Sequence, residues 1–311
     1  MRDKFGRLVT GLRISVTEEC NLNCFYCHAE GCSVNSRQMS AEEMGKIVQL
    51  AKEFGVSKIK LTGGEPLLRK DITEIVKAVT AAGMEEVSMT TNGTLLAKIA
   101  ADLADAGLNR VNISLDTLDE TTYKRITGRK LLHEVFEGID AALAAGLTPV
   151  KLNMVLLAKI NEHEVERMIA YTSERGIVLQ LIELLDVGGK NFIIYHRNLD
   201  DIEQSLRERA VAVQTRRSMQ ARRKYILPGG EVEVVKPMHN SEFCMHCTRL
   251  RLTPGGHLKP CLMRNDNLVD VLPHIGSGDI EGARKAFAEA IARREPYFKG
   301  AAREICVPHS V

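Results

Sequence analysis

A chain of 311 residues with 44% hydrophobic content can bury one barrel-sized core or two smaller ones. Its 42 basic and 40 acidic residues leave a formal charge of +2, so no global field draws it to nucleic acid, and an anionic ligand needs a local basic cluster. No apolar run approaches a bilayer span, and the stretch from Met1 to Gly6 lacks the apolar core of a signal peptide, which predicts a cytoplasmic protein with no membrane partner.

Apolar runs at residues 12–16, 59–61, 87–89, 111–115, 150–157 and 178–185 read as strands. The first leads directly into Cys20, Cys24 and Cys27, so three sulfurs share one loop at a strand's carboxyl end. Between the strands lie helical periodicities. Ser40-Ala41-Glu42-Glu43 is a capping box, followed by Met44, Ile47, Val48, Ala51 and Phe54 on one face, with Gly55 as the stop. Asp71 opens a second helix with Ile72, Ile75, Val76 and Val79 inward. Further helices carry Ile99 and Leu103, then Val135 and Ile139, then Val165 and Met168, and end at Gly107, Gly146 and Gly176. This alternation predicts a parallel sheet with helices outside. Unusual residues follow nearly every strand: the cysteine loop, Gly63-Gly64-Glu65-Pro66, Thr90-Thr91-Asn92-Gly93, Ser114-Leu115-Asp116, Asn153 and residues 185–189. Function gathered at all the carboxyl ends selects a barrel, complete or partial, over an open sheet with one switch point.

Past residue 190 the style changes, and residues 211–311 read as a smaller α+β extension of a barrel domain spanning 1–210. Pro228-Gly229-Gly230 is a hairpin turn between strands at 224–227 and 231–235. The basic run 216–224 lacks the interleaved aromatics that bind single-stranded RNA and reads as a solvated hairpin face. Cys244 and Cys247 precede a strand at 248–253, and Cys261 follows the turn Pro254-Gly255-Gly256 and a second strand. A last helix over 280–291 turns Ile280, Ala283, Phe287 and Ile291 inward.

Six of the eight cysteines thus fall in two groups of three, which in a reducing compartment indicates metal ligation; Cys32 and Cys306 receive no role. A structural zinc or an electron-carrying cluster takes four protein ligands, whereas three leave one metal position for something that is not protein. The residues alone leave open a zinc knuckle completed by His28 or Cys32, and a zinc ribbon completed by His246 or His257. Arg249 and Arg251 alternate on a predicted strand, so both point to one face and form a clamp for a triphosphate.

The first cysteine spacing, together with Gly63-Gly64-Glu65-Pro66, resembles the radical S-adenosylmethionine superfamily. Gly11-Leu12-Arg13, residues 62–69, 90–93 and 114–119, Ile126-Thr127-Gly128 and residues 243–251 are similar to the GTP 3′,8-cyclase family, over roughly residues 5 to 265. The resemblance implies a partial (β/α)6 TIM-like barrel whose C-terminal extension carries a second iron–sulfur cluster. It implies a 4Fe-4S cluster on Cys20, Cys24 and Cys27 with S-adenosylmethionine on its free iron, and a second 4Fe-4S cluster on Cys244, Cys247 and Cys261 facing the guanine of GTP. Tyr26, Gly64, Ser114 and Leu185 match positions lining the S-adenosylmethionine site, with Glu65 near its amino group. Arg13, Lys60, Thr90 and Lys151 match GTP positions, as do Arg249 and Arg251.

The implied activity is a lyase reaction giving (8S)-3′,8-cyclo-7,8-dihydroguanosine 5′-triphosphate, the first step of molybdenum cofactor biosynthesis. An adenosyl radical would take a hydrogen from ribose C3′, and the carbon radical would attack guanine C8. A low-potential electron donor, a homodimer and transfer of product to cyclic pyranopterin monophosphate synthase are further expectations of this kind. Four departures stand out: Lys60 where many members have arginine, Leu185 where many have methionine, Gln180 where arginine is common, and an ending at Val307-Pro308-His309-Ser310-Val311 without a Gly-Gly tail. The rival readings are a radical enzyme acting on a peptide and a non-catalytic metal-binding module.

Overall fold

The computed structural model describes residues 1–29, 37–186, 190–238 and 240–296, so Cys32, Cys306, residues 187–189 and the last five residues lie outside the described ones. Strand and helix alternate through the first part of the chain. β1 (Gly11–Ser15) leads to α1 (Ala41–Glu53), β2 (Lys58–Thr62) to α2 (Ile72–Ala81), and β3 (Glu86–Thr91) to α3 (Ala100–Asp105). β4 (Arg110–Ser114) is followed by α4 (Glu120–Thr127) and α5 (Leu132–Ala144), and then come β5 (Lys151–Leu156), α6 (Val165–Glu174) and β6 (Val178–Glu183). After α7 (Lys190–Tyr195) and α8 (Asp200–Arg209) come β7 (Ala212–Arg216), β8 (Arg222–Leu227) and β9 (Gly230–Val235). Then α9 (Ser241–Met245) precedes β10 (Arg249–Leu252), β11 (His257–Lys259) and β12 (Val269–Asp270), and α10 (Leu272–Ser277) and α11 (Ile280–Ala292) end the described chain.

The strands form one mixed sheet in the order β12-β11-β10-β1-β2-β3-β4-β5-β6-β9-β8-β7. β1 to β6 are parallel and consecutive, as short right-handed strand–helix–strand units require. The expected hairpin closes with Leu227 opposite Gly230. The pattern did not reveal where the later strands go: β10 pairs parallel with β1, and β9 pairs parallel with β6. The later part of the chain therefore occupies both flanks of the six-strand run.

Register explains the two faces of the sheet. Leu12, Ile59 and Val87 share one row, and Ile14, Leu61, Met89 and Val111 another; all are buried and belong to one continuous core with α1, α2 and α5. The opposite face is polar. Arg251, Arg13, Lys60, Ser88 and Arg110 are successive partners, as are Thr90, Asn112 and Lys151, and Asn153, Gln180 and Glu233. Side chains two strands apart meet across it: Lys60 Nζ donates to Asn112 Oδ1 at 2.7 Å, and Asn112 Nδ2 to Gln180 Oε1 at 3.2 Å. The sheet curls around its polar side.

The capping box forms, with Glu43 N donating to Ser40 Oγ and Ser40 N to Glu43 Oε2. Asp71 makes no side-chain cap; its carboxylate is held by Arg69 instead. In α11 the inward face is Ala283, Ala286, Phe287, Ala290 and Ile291, and Phe287 stacks on Phe54 at 5.3 Å. Ile280, expected inward, is the first residue of the helix and 46% exposed. Among the described residues no helix is long and apolar enough to cross a membrane.

Candidate functional site

The loop carrying Cys20, Cys24 and Cys27 is fastened to the turn after β2. Gly64 N donates to Thr17 O at 2.9 Å and Glu65 N to Glu19 O at 2.7 Å. The approach needs glycine, because a Cβ on Gly64 would lie 2.1 Å from Glu19 O and one on Gly63 2.6 Å from Thr17 O. All three thiols are free. Leu22 N points at Cys20 Sγ at 3.5 Å and Ala29 N at Cys27 Sγ at 3.4 Å, donors that stabilise sulfur-centred negative charge. Burial raises the Cys20 and Cys24 thiols, and nearby Glu65 and Asp116 respectively push them further, so these thiols ionise poorly until a cation joins them.

Two carboxylates brace this loop. Glu65 is fully buried and accepts from Thr91 Oγ1 and Asn92 N at 2.6 Å each and from Leu67 N at 3.0 Å; burial raises it to about 7. Both oxygens are thus engaged behind the loop. Asn92, held in this way, donates to Asn21 Oδ1 at 2.8 Å. Asp116 accepts from the Tyr26 hydroxyl and from Val155 N, and burial raises it to about 6.

The second group starts on α9, where Asn240 caps Phe243 N. Cys244 O accepts Cys247 N at 3.2 Å and Arg7 Nη1 at 2.9 Å, and Cys247 O accepts Arg294 Nη2. Burial and then the neighbouring Cys261 and Cys247 push the Cys244 thiol up to about 11, so the three sulfurs feel one another. Among the described residues no three His, Cys, Asp or Glu side chains converge on the position of a single ion. A multi-iron cluster binds each thiolate through a different iron and does not ask for that convergence.

Both sulfur groups line one cavity of about 740 Å³. Arg13, Tyr26, Lys60, Gly64, Thr90, Ser114, Lys151, Leu185, Arg249 and Arg251 line it as well. Of the cluster, cofactor and substrate residues that the resemblance implied, all among the described residues, Glu65 alone stays out of that wall. The cations are costly there. Burial lowers Arg13 and Arg249 to about 10 and Arg251 to about 9, with Arg13 repelling the latter two, and it carries Lys60 well below a free lysine. An anion arriving among them relieves that cost.

Lys151 is tied to the buried Glu233 at 2.6 Å, where Gln180 and Arg216 also donate. Burial brings Lys151 down to about 8, and it would raise Glu233, but Lys151 and Arg216 outweigh it and hold the carboxyl at about 2. The basic run expected to be a solvated face is therefore partly interior. Arg216 reaches Glu233, and Arg222 lines the cavity. Asn112, Gln220 and Arg222 had no individual motif to reveal them; strand register and the return of the hairpin to β6 place them there.

The description "Radical SAM superfamily" matches residues 14–172, and "Molybdenum Cofactor Synthesis C" matches residues 177–300. Proteins named "Probable GTP 3′,8-cyclase" are similar over nearly full length. One from Methanothermobacter marburgensis is 49% identical, covering 96% of this chain and 99% of that one. Another from Methanocaldococcus jannaschii is 49% identical with the same coverage, 96% and 99%. Among solved structures, Streptococcus suis SuiB bound to S-adenosylmethionine superposes with a TM-score of 0.66 at 18% identity, over 86% of this chain and 64% of that chain. Native anSMEcpe with bound AdoMet superposes at 0.59 and 16% identity, over 90% and 82%. These two likenesses concern the fold. The length and identity of the sequence matches, with two family descriptions meeting on one cavity, establish that this chain belongs to the GTP 3′,8-cyclase family of the radical S-adenosylmethionine superfamily.

Proposed function

We propose that this chain converts GTP into (8S)-3′,8-cyclo-7,8-dihydroguanosine 5′-triphosphate, with S-adenosylmethionine as radical source, in the first step of molybdenum cofactor biosynthesis. One observation carries the reading: two separate groups of three free thiols and a row of desolvated cations face a single cavity. Cys20, Cys24 and Cys27 would hold one 4Fe-4S cluster, and Cys244, Cys247 and Cys261 a second, each leaving one iron without a protein ligand. The donor set fits, since three free sulfurs with backbone N–H groups aimed at them suit thiolate ligation. When bound, the first cluster and S-adenosylmethionine supply the hydrogen-abstracting radical on one-electron reduction.

The rest is positioning by the chain itself. Gly64 brings bare backbone to the S-adenosylmethionine side, Asp116 fixes the Tyr26 ring there, and Ser114 and Leu185 complete the wall. Glu65 serves this site from behind, by holding Thr91, Asn92 and Leu67. Arg13, Arg249 and Arg251 bind the triphosphate with Lys60, Lys151 and Thr90, while Cys244, Cys247 and Cys261 would hold the cluster that orients the purine. Phosphates fixed at one point and purine at another leave the ribose carbon a narrow range of positions, which turns hydrogen abstraction into an oriented step. Burial of the cations strengthens each of these contacts and keeps water from a reactive carbon centre.

In this reading β1 to β6 form a partial (β/α)6 barrel, residues 1–210 the radical-generating part and 211–311 the substrate-binding extension. Lys60 keeps a charge without a guanidinium fork, and Gln180 is committed to Glu233 and Asn112. A low-potential donor, a homodimer and a cyclic pyranopterin monophosphate synthase taking the product complete the proposal, with the cytoplasm as its place. Anaerobic incubation of the reconstituted protein with GTP, S-adenosylmethionine and dithionite tests it. Mass analysis should show 5′-deoxyadenosine and a cyclised nucleotide isomeric with GTP; 5′-deoxyadenosine with GTP recovered unchanged would reject it.

A further inference from the structure

Arg222 opens β8 and lines the cavity from the flank opposite β10, on which Arg249 and Arg251 lie. Its environment differs from that of the other cations on the two strands β7 and β8. Arg216 pairs with Glu233, Arg223 lies 3.7 Å from Glu203, and Lys224 pairs with Glu231. Arg222 has no carboxylate partner among the described residues. Its Nη2 donates to the neutral Gln220 Oε1 at 2.8 Å, and its Nε is buried without any hydrogen-bond partner among them. A guanidinium is a five-donor cation that stays protonated, so a buried N–H without an acceptor beside other cations is an arrangement an incoming anion completes.

The surroundings are positive. Burial and then Arg249 carry the Arg222 guanidinium well below its ordinary value, with Arg13 and Arg216 adding repulsion against the attraction of Glu233. Two contacts hold the side chain in place beside the second thiol group. Its guanidinium carbon sits 5.8 Å from the centre of the Phe243 ring, next to Cys244, and Gln220 Nε2 also reaches Cys247 Sγ at 3.9 Å. Gln220 thus couples this cation to the thiol group proposed to face the purine.

We propose that Arg222 binds the phosphate chain of the nucleotide together with Arg249 and Arg251, adding a third fork, from the hairpin, to the clamp those two arginines form on one strand. This rests on the GTP reading above and adds a recognition group that the motifs did not contain. A polyphosphate held by forks from two different elements is fixed in direction as well as position, which two forks on one strand leave to the cavity shape.

The test is equilibrium binding of GTP and of guanosine to the anaerobically reconstituted protein without S-adenosylmethionine, with iron content as the control for folding. Arg222→Met should weaken GTP by about 10- to 100-fold, the worth of charge-assisted hydrogen bonds to one group, and leave guanosine unchanged. Arg222→Lys, which keeps charge and stem, should fold normally and lose several-fold less, yet measurably. Wild-type GTP affinity in either variant would overturn the proposal, and so would a parallel loss of GTP and guanosine, which marks a prop for the cysteine loop. The Arg249→Ala, Arg251→Ala double variant run beside them separates the two readings. If it weakens GTP while Arg222→Met does not, only the role of Arg222 falls; if it too binds GTP normally, the nucleotide reading falls.

Discussion

Glu233 gathers Lys151, Arg216 and Gln180 at the polar face of β9, and its side chain is almost wholly buried. Breaking a buried pair by removing one member costs more than the pair itself contributes, because the remaining charge keeps its desolvation cost and loses its partner. Glu233→Gln should therefore destabilise the protein by about 3 kcal/mol, seen as a fall of roughly 5–10 °C in the thermal midpoint. Adding Lys151→Met should recover most of the loss, and a double variant no better than the single one would show that the pair is not the cause. Burial would raise this carboxyl, yet Lys151 and Arg216 hold it at about 2 against an ordinary 4.5. Its contribution is then complete above pH 4.5 and fades as the pH falls toward 2, a component of acid sensitivity that Glu233→Gln should lack. That the grouped cysteines and the Arg249 and Arg251 pair belong to one site was legible in the sequence, and they line one cavity. Glu233 and Arg222 were not legible there, because a lone carboxylate or arginine acquires a role only from partners that register brings to it.

Elements were legible in proportion to their periodicity. The helices with a clear apolar face and a glycine stop formed where expected, as did the parallel strands between them. Pairing between distant strands was hidden, since β9 and β10 carry nothing in their own sequences that names β6 and β1 as neighbours. The turn after β2 shows what a motif means physically. Its glycines are required by the backbone of the cysteine loop, with a Cβ on Gly64 falling 2.1 Å from Glu19 O and 2.5 Å from Glu18 O. Gly64→Ala should push that loop away and lower the iron content after anaerobic reconstitution. Gly276→Ala, where a Cβ meets nothing within 4 Å, should retain full iron. Equal iron in both variants would show that the loop tolerates the displacement.

At the scale of the whole molecule, one curled sheet brings together two thiol groups that lie more than two hundred residues apart in the chain. The parallel strands present the first group with Arg13, Lys60, Arg110 and Lys151, and the later part of the chain flanks them with the second group and Arg222, Arg249 and Arg251. In the proposed reading this geometry divides the labour: one group of sulfurs would serve radical generation, the other would orient the purine, and the basic wall would hold the phosphates. The most direct measurement is turnover by Cys261→Ala, reconstituted anaerobically and given GTP, S-adenosylmethionine and dithionite, with the products identified by mass. Formation of 5′-deoxyadenosine without any cyclised nucleotide is the expected result, and a wild-type yield of the cyclised nucleotide would contradict the account.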